Sequence, residues 1–484
     1  MSTLTAAQEN AVRELVRVSP VAAELGERFA QAGHALHLVG GSVRDALLGR
    51  LGDDLDLTTD ARPEQVLALA AGWAEATWET GIAFGTVGLA RSGLKLEVTT
   101  YRSEAYDSTS RRPLVAFGDS LRADLSRRDF TVNAMAVALP DWRGAASFVD
   151  PFGGLDDLAA RRLRTPARPE DSFGDDPLRM LRAARFAAQL GFTVDPPAVQ
   201  AMRDMAGRLE IVSAERVKEE LVRLLLGSHP RAGLELLVDT GLAAWVVPEL
   251  PALRLEIDEH HQHKDVYGHT LEVLERAIRL EPAGPDLVLR LAALLHDIGK
   301  PRTRRHEPGG GVSFHHHEVV GAKLTEKRLR ALTFGKDVIE PVRLLVELHL
   351  RFHGYGKGEW TDSAVRRYVT DAGPELARLH LLVRSDCTTR NKRRAAALAA
   401  SYDDLEARIA RLAEQEELSR IRPDLDGAQV MRLLGVPAGP LVGRALGHLL
   451  ALRMEHGPLG PERAEAELRA WAATVGVGSE QVPE

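Results

Sequence analysis

Asp54 and Asp56, two aspartates separated by one leucine, carry the strongest chemical signal in the chain. The run Asp54-Leu55-Asp56-Leu57 alternates with period two, so as a strand it sends both carboxylates to one face and both leucines to the other. Like charges so placed repel unless something positive lies between them. A pair of divalent ions would supply that charge, and two metals can activate an attacking oxygen and stabilise a leaving one in phosphoryl or nucleotidyl transfer. Just upstream, Gly40-Gly41 lets the backbone turn tightly and approach a phosphate. Glu97 lies on the polar face of the alternating run Leu94 to Thr100 and reads either as a third carboxylate or as an exposed strand residue.

Three further constellations could do chemistry. Arg127, Arg128, Asp129 and Asn133 form a dense polar set against Phe130, Val132 and Met135. The arginines could hold phosphates bidentately and Asp129 or Asn133 a ribose hydroxyl; a structural ion pair is the alternative. Asp176 and Arg179 are three apart, so on a helix they share a face and could offer a nucleobase a base-pair-like edge. Equally, Pro177 at the first helical position would make Asp176 an N-cap and leave Arg179 solvated. In the second half, His296-Asp297 ends an apolar helix that Gly299 can terminate. With His269, His317 and Asp386 it supplies the imidazoles and carboxylates a divalent ion needs. His260, His261, His263, His315, His316 and His349 are further candidates, most of them read as outer partners or solvated side chains.

These residues need elements to position them. His37-Leu38-Val39 reads as the end of a buried strand, and Ser42 as the N-cap of a helix carrying Val43, Ala46 and Leu47 on one face, with Arg44 off it. Residues 1–33 read as amphipathic helix, Pro63 to Ala76 as a second helix, and Gly81 to Val87 and Leu94 to Thr100 as strands. Thr100 to Leu121 is polar with little periodicity and reads as a long loop, a candidate lid. Asp150 to Leu158 is a turn cluster and short helix, and Ser213 to Leu225 a capped helix carrying Glu215, Arg216 and Glu219. The last eighty or so residues read as helices without catalytic groups.

Length and composition limit the classes. At 484 residues the chain is too long for one core. The single Cys387 excludes an internal disulfide framework and suits a reducing compartment. The first ten residues lack the basic and apolar regions of a signal peptide, and no apolar run spans a bilayer, so a cytoplasmic protein without membrane partners is expected. A net charge of -7 is not a nucleic-acid binder's overall footprint. Locally, however, Arg161 to Arg185 holds seven arginines, Arg182 among them, against four acids. That permits RNA contact and is equally consistent with solvated helices.

GGSVRDALLG followed by DLDLTT resembles the signature of the class II CCA-adding tRNA nucleotidyltransferase and poly(A) polymerase family, and RRDFTVNAMA resembles that family's second motif. DDPLRMLRAARF resembles its Glu-Asp-x-x-Arg motif, with Asp175 in place of the usual glutamate. HDIGKP followed by Phe-x-x-His-Glu resembles the HD metal-dependent phosphohydrolases. The resemblance implies an α+β protein: a small mixed-sheet head with its N-terminal helix (1–160), an all-α neck (161–250), an HD domain (251–400) and a helical, tRNA-binding tail (401–484). It implies Asp54 and Asp56, with Glu97, holding two Mg²⁺ ions, and transfer of nucleotides from CTP and ATP to the 3′ end of tRNA with release of pyrophosphate. Gly40, Gly41, Arg44, Arg127, Arg128, Asp129, Asn133, Arg182 and Arg185 would bind the nucleotide, and Asp176 and Arg179 would select its base. His269, His296, Asp297, His317 and Asp386 would hold a divalent metal of unstated identity. A monomer or homodimer fits. The alternatives are an enzyme adding only part of CCA, a poly(A) polymerase, or a phosphohydrolase acting on 2′,3′-cyclic phosphates through the HD cluster.

Overall fold

The computed structural model describes residues 6–105, 114–118, 120–139, 141, 147–254, 265–308, 312–355, 360–389, 391–416 and 422–476. The chain divides into two compact units, Met1–Pro248 and Glu249–Glu484.

The first unit begins with α1 (Ala6–Gln31), whose Leu25 and Phe29 are fully buried. It continues through β1 (Leu36–Val39), α2 (Gly40–Leu47), β2 (Asp54–Thr59), α3 (Pro63–Ala70), β3 (Ala76–Trp78), β4 (Thr86–Arg91) and β5 (Leu94–Thr100). A hairpin of β6 (Arg102–Ala105) and β7 (Leu114–Phe117), then α4 (Leu121–Ser126), β8 (Ala136–Leu139) and β9 (Phe148–Val149) complete the head. The seven-stranded sheet has the order β3-β4-β5-β2-β1-β8-β9. Every neighbouring pair is antiparallel except β2 and β5, which run parallel after the crossover through α3, β3 and β4. On β2, Leu55 and Leu57 are buried while Asp54 and Asp56 face outward, as the alternation predicts.

Helices α5 (Gly154–Ala159), α6 (Pro169–Asp175), α7 (Leu178–Leu190), α8 (Pro196–Met205), α9 (Ala214–Leu225), α10 (Pro230–Asp239) and α11 (Ala243–Val246) follow. α7 packs between α9 and α10, and Gly233 permits the close crossing: a β-carbon there would stand 2.6 Å from the Ala184 carbonyl oxygen. Phe186 of α7 meets Phe130 edge-on with ring centroids 5.8 Å apart, which brings α7 against the sheet's polar face.

Four expectations change. α2 starts at Gly40, so Ser42 lies within it and does not cap it; its hydroxyl accepts the Asp56 amide at 2.8 Å. α3 ends at Ala70, because Gly72 takes a left-handed φ of +68° and the chain turns into β3. Residues 82–84 form a 3₁₀ turn closed by Gly85 at φ +78°, so β4 begins only at Thr86. Within the stretch expected as one long loop, β6 and β7 pair; the remainder, residues 106–113 and 119, lies outside the described residues.

The second unit is helical: α12 (Val266–Leu280), α13 (Leu287–Leu295), α14 (Lys300–Thr303), α15 (His317–Ala331), α16 (Lys336–Leu348), α17 (Asp362–Ala372), α18 (Leu376–Asp386) and α19 (Lys392–Glu416). α20 (Gly427–Leu434), α21 (Pro440–His456) and α22 (Pro461–Thr474) close over a small core that includes Val430, Leu449 and Leu468. α13 is buried around nearly its whole circumference because α12, α16 and α18 surround it, and its one charged residue, Arg290, is paired with Glu281. No helix of the described residues is long and apolar enough to cross a membrane.

Candidate active site and metal centre

The β2/β5 register sets the acidic side of the first site. Asp56 pairs with Glu97 and Asp54 with Lys95 in parallel register, so the three carboxylates share the outer face of adjacent strands. Burial pushes the Asp56 carboxyl up; Arg128, Arg44 and Arg182 pull it down, and Asp54 adds to the rise. Glu97 is likewise pushed up, by burial and then by Asp56 and Asp54. Gly40, at φ +67°, makes room: a β-carbon there would lie 2.8 Å from Arg128 Nη1 and 3.5 Å from Asp56 Oδ2.

These residues border a cavity of about 530 Å³ whose opposite wall is α7. A chain of polar contacts organises it. Arg44 Nη1 donates to Asn133 Oδ1 at 2.6 Å, and Asn133 Nδ2 donates to Asp129 Oδ1 at 2.9 Å, which fixes the amide's orientation. Arg182 donates to Asp129 Oδ2 through Nε at 2.8 Å and Nη2 at 2.5 Å. Burial opposes the Asp129 charge, but Arg182, Asn133 and the Phe130 amide more than offset it and hold the carboxyl well below the usual range. Arg185 Nε lies 2.6 Å from Glu220 Oε2, without hydrogen-bond alignment. Burial pushes Arg185 down to about 10 in spite of that partner.

Arg179 donates from Nη1 to the Ser172 carbonyl and hydroxyl oxygens and from Nη2 to the Arg127 carbonyl, which leaves two of its five N–H groups. α7 begins at Leu178 with Pro177 as its N-cap, so Asp176 stands one residue before the cap; it accepts the Leu178 amide at 3.1 Å and also accepts from Arg216 at 3.2 Å. Both side chains nevertheless line the cavity. So do Gly40, Gly41, Arg44, Asp56, Glu97, Arg127, Arg128, Asp129, Asn133, Arg182 and Arg185; Asp54 lies beyond the lining, two residues before Asp56 on the same strand face. Asp175 ends α6 outside the lining.

Sequence reasoning missed Arg102, Arg223 and Phe186 in the lining and Glu220 behind it. Glu220 had a readable signal, since it interrupts the apolar stripe Val217, Leu221, Leu224 of α9.

In the second unit six candidate ligands converge in two trios, His269, His296, Asp386 and Asp297, His317, His349, the atoms of each within 4.8 Å of one another. The Nδ1–H groups of His296, His317 and His349 donate to the carbonyls of Ala293, Phe314 and Val346 at 2.9, 2.8 and 2.7 Å. That fixes the tautomer in which each Nε2 presents its lone pair inward. The Nε2 atoms of His317 and His349 are buried with no hydrogen-bond partner among the described residues. Asp297 sits at the centre: Oδ2 is 3.2 Å from His296 Nε2, Oδ1 is 3.3 Å from His317 Nε2, and Lys300 Nζ donates to Oδ2 at 2.6 Å. His269 Nε2 lies 2.9 Å from Asp386.

Of the further candidate histidines, His349 joins the cluster: it is 1% exposed, and burial pushes it down to about 3, so its imidazole is neutral. His315 and His316 are exposed, and His260, His261 and His263 lie outside the described residues. α13 ends at Leu295, and Gly299 acts by closeness: its β-carbon would overlap the His317 carbonyl oxygen, so the glycine lets α15 deliver His317.

The profile described as "Poly A polymerase head domain" matches residues 36–164, "Probable RNA and SrmB- binding site of polymerase A" residues 191–253, and "HD domain" residues 266–417. The chain is 35% identical to the A-adding tRNA nucleotidyltransferase of Deinococcus radiodurans, over 90% of this chain and 95% of that one. It is also 35% identical to the CC-adding tRNA nucleotidyltransferase of Thermus thermophilus, over 90% and 93%. Among solved structures, the Bacillus stearothermophilus CCA-adding enzyme in complex with CTP superposes with a TM-score of 0.66 at 28% identity, covering 94% of this chain and 98% of that one. The chain therefore belongs to the CCA-adding tRNA nucleotidyltransferase and poly(A) polymerase family, with an HD domain in its second half.

Proposed function

We propose that this protein is a tRNA nucleotidyltransferase that builds CCA on the 3′ end of tRNA from CTP and ATP. The observation that carries this reading is the pairing of Asp56 with Glu97 across β2 and β5 at the edge of an arginine-lined cavity that also holds Asp176 and Arg179. Asp54, Asp56 and Glu97 fit Mg²⁺: they are hard oxygen donors, and two of them are pushed up, Asp56 by burial and by Asp54, Glu97 by burial and by Asp56 and Asp54, a crowding that divalent ions relieve. Mg²⁺ held there would favour the ionised 3′-hydroxyl and offset the charge of the departing pyrophosphate.

The chain's own groups do the rest. Arg44, Arg128, Arg182 and Arg185 converge on the cavity and bind the triphosphate, with Asn133 and Asp129 fixing Arg44 and Arg182. Asp129 and Asn133 also lie within the cavity for the ribose. Asp176 retains acceptor capacity and Arg179 two donors, a complement to the 4- or 6-amino group and neighbouring ring acceptor that cytosine and adenine share on their pairing edges, where uracil and guanine carry a carbonyl and a ring N–H. Arg179→Ala is expected to relax discrimination against UTP and GTP.

The test supplies Mg²⁺, tRNA lacking its 3′ end, and labelled CTP, ATP or both, and sizes products to single nucleotides. Three additions requiring both nucleotides, lost in Asp54→Ala, support the reading. The relatives at 35% identity favour a second one, partial addition, which would stop after one or two. A long ATP-only ladder would mean poly(A) synthesis, and no incorporation would overturn the proposal. The HD cluster fits a divalent ion through its orphaned Nε2 atoms and neutral His349, and we assign it metal-dependent phosphohydrolysis, for which 2′,3′-cyclic phosphates are the first substrates to try. Unchanged turnover of these in His296→Ala would refute that assignment.

A further inference from the structure

The sheet's polar face continues past the carboxylates. Asp56 pairs with Glu97, Glu97 with Gly88, and Gly88 with Trp78, so these four positions form one row across β2, β5, β4 and β3. Residues directly opposite on neighbouring strands point to the same face. The row therefore runs carboxylate, carboxylate, no side chain, indole. A β-carbon on Gly88 would fall inside the Trp78 ring, overlapping Cε2 and Nε1, so the indole lies flat over the glycine and reaches toward the Glu97 column. Neighbouring strands are about 4.8 Å apart, which places the ring roughly one strand from the third carboxylate. Trp78 is half-buried, whereas Trp73 on the same stretch is packed away at 3% exposure.

The direction of the reaction gives this ring a purpose. Arg44 on α2, Arg128 after α4, and Arg182 and Arg185 on α7 gather on the β1 side of the carboxylates, while Glu97, Thr99 and Arg102 line the cavity's β5 edge and Trp78 stands outside the lining. In nucleotidyl transfer the attacking oxygen and the leaving pyrophosphate stand roughly in line on opposite sides of the α-phosphorus. With the triphosphate among those four arginines, the opposite approach, for the attacking 3′-hydroxyl, runs across the β5 and β4 face. The nucleotide carrying that hydroxyl then passes over Gly88. A flat aromatic surface there matches the one feature all nucleobases share, their π face, so it holds an RNA end whose last base changes as synthesis proceeds.

We propose that Trp78, laid across Gly88, is a stacking shelf for a nucleobase at the 3′ end of the acceptor RNA. This rests on the nucleotidyltransferase reading. Two measurements test it. In steady-state kinetics, Trp78→Ala is expected to raise KM for the RNA roughly 5- to 100-fold, the range of a lost base–aromatic stack, while KM for CTP and ATP stays within about twofold. Trp78→Phe should restore most of it. In a binding experiment without nucleotides, RNA ending in 2-aminopurine should be quenched by the wild type and not by Trp78→Ala. Unchanged KM for RNA, or quenching that persists in Trp78→Ala, would overturn the shelf. Parallel loss for RNA and nucleotide together with a lowered melting temperature would mean that the ring is structural, and would overturn it too. Quenching is read without catalysis, so a wild type that quenches but incorporates nothing would refute the enzymatic reading and leave the shelf supported.

Discussion

The Arg185–Glu220 pair should cost stability and be kept for function. Both side chains are nearly dry, at 8% and 7% exposure, and their closest atoms meet at 2.6 Å without hydrogen-bond alignment. Desolvating each ion costs several kcal/mol, and a misaligned pair recovers only part of it. The direction of Arg185 supports this: it is lowered from 12.5 to about 10 despite its anion, a net opposition to its charge of about 3 kcal/mol. That opposition persists at neutral pH and is relieved only as pH rises through 10. Glu220→Gln should therefore lose about 3–5 kcal/mol by stranding Arg185, and Arg185→Met a similar amount by stranding Glu220. The double variant Arg185→Met/Glu220→Leu should be as stable as wild type or up to about 3 kcal/mol more stable, yet lose roughly 100-fold in kcat/KM for CTP because a cavity-lining cation has gone. Urea unfolding measures this, following the transition that CTP shifts in the wild type, since a chain of two units need not unfold in one step. Additive single effects within about 0.5 kcal/mol, or a double variant destabilised by 3 kcal/mol, would refute the argument.

Asp129→Asn should cost about 2–4 kcal/mol at pH 7, because Arg182 loses its buried anion. The folded carboxyl is held below its unfolded value near 3.9, so the wild-type advantage is full above that pH and shrinks as pH falls through the folded value; a gap constant from pH 7 to 2 in urea titrations would contradict it. Asp56→Asn should reduce incorporation at least about 1,000-fold with little change in melting temperature, since its carboxyl faces the cavity and not the core. Gly299→Ala should cost roughly 2–3 kcal/mol and lower bound divalent metal, read by melting and elemental analysis, because α15 must retreat from the added carbon. A divalent ion at 100 times its dissociation constant should stabilise the second unit by about 2.7 kcal/mol, and His349→Ala should abolish most of that shift.

What could be read from the sequence was what has a period. Strand alternation placed Asp54, Asp56 and Glu97 on their faces correctly because the leucines between them needed burial, and α7 and α9 followed from their apolar stripes. What had no local signature was partnership across distance. Nothing near Asp129 in sequence says that Arg182, fifty-three residues on, will neutralise it, or that Asn133 will link it to Arg44. Ser42 looked like a cap because capping is the local use of serine; its actual partner, the Asp56 amide, is defined only once β1 and β2 pair. His349 could not be singled out among the surplus histidines for the same reason, as it reaches Asp297 only through the packing of α16 against α13 and α15. Gly88 gave no signal at all, since the ring it accommodates comes from another strand.

The acidic net charge and an RNA substrate are reconciled at the cavity. Nine arginines line it against five carboxylates, so a chain of charge -7 still presents a positive pocket. Most of those arginines are already tied: Arg44 to Asn133, Arg128 to Asp124, Arg179 to backbone carbonyls, Arg182 to Asp129, Arg185 to Glu220 and Arg216 to Asp176. Tying them weakens each as a free charge but fixes where it points, and cations already in place for the developing charge of a triphosphate need no reorganisation when the bond breaks. Because most of these cations are buried or half-buried and the RNA carries many more phosphates than one nucleotide, nucleotide affinity should fall less steeply with added salt than affinity for the polyanionic RNA.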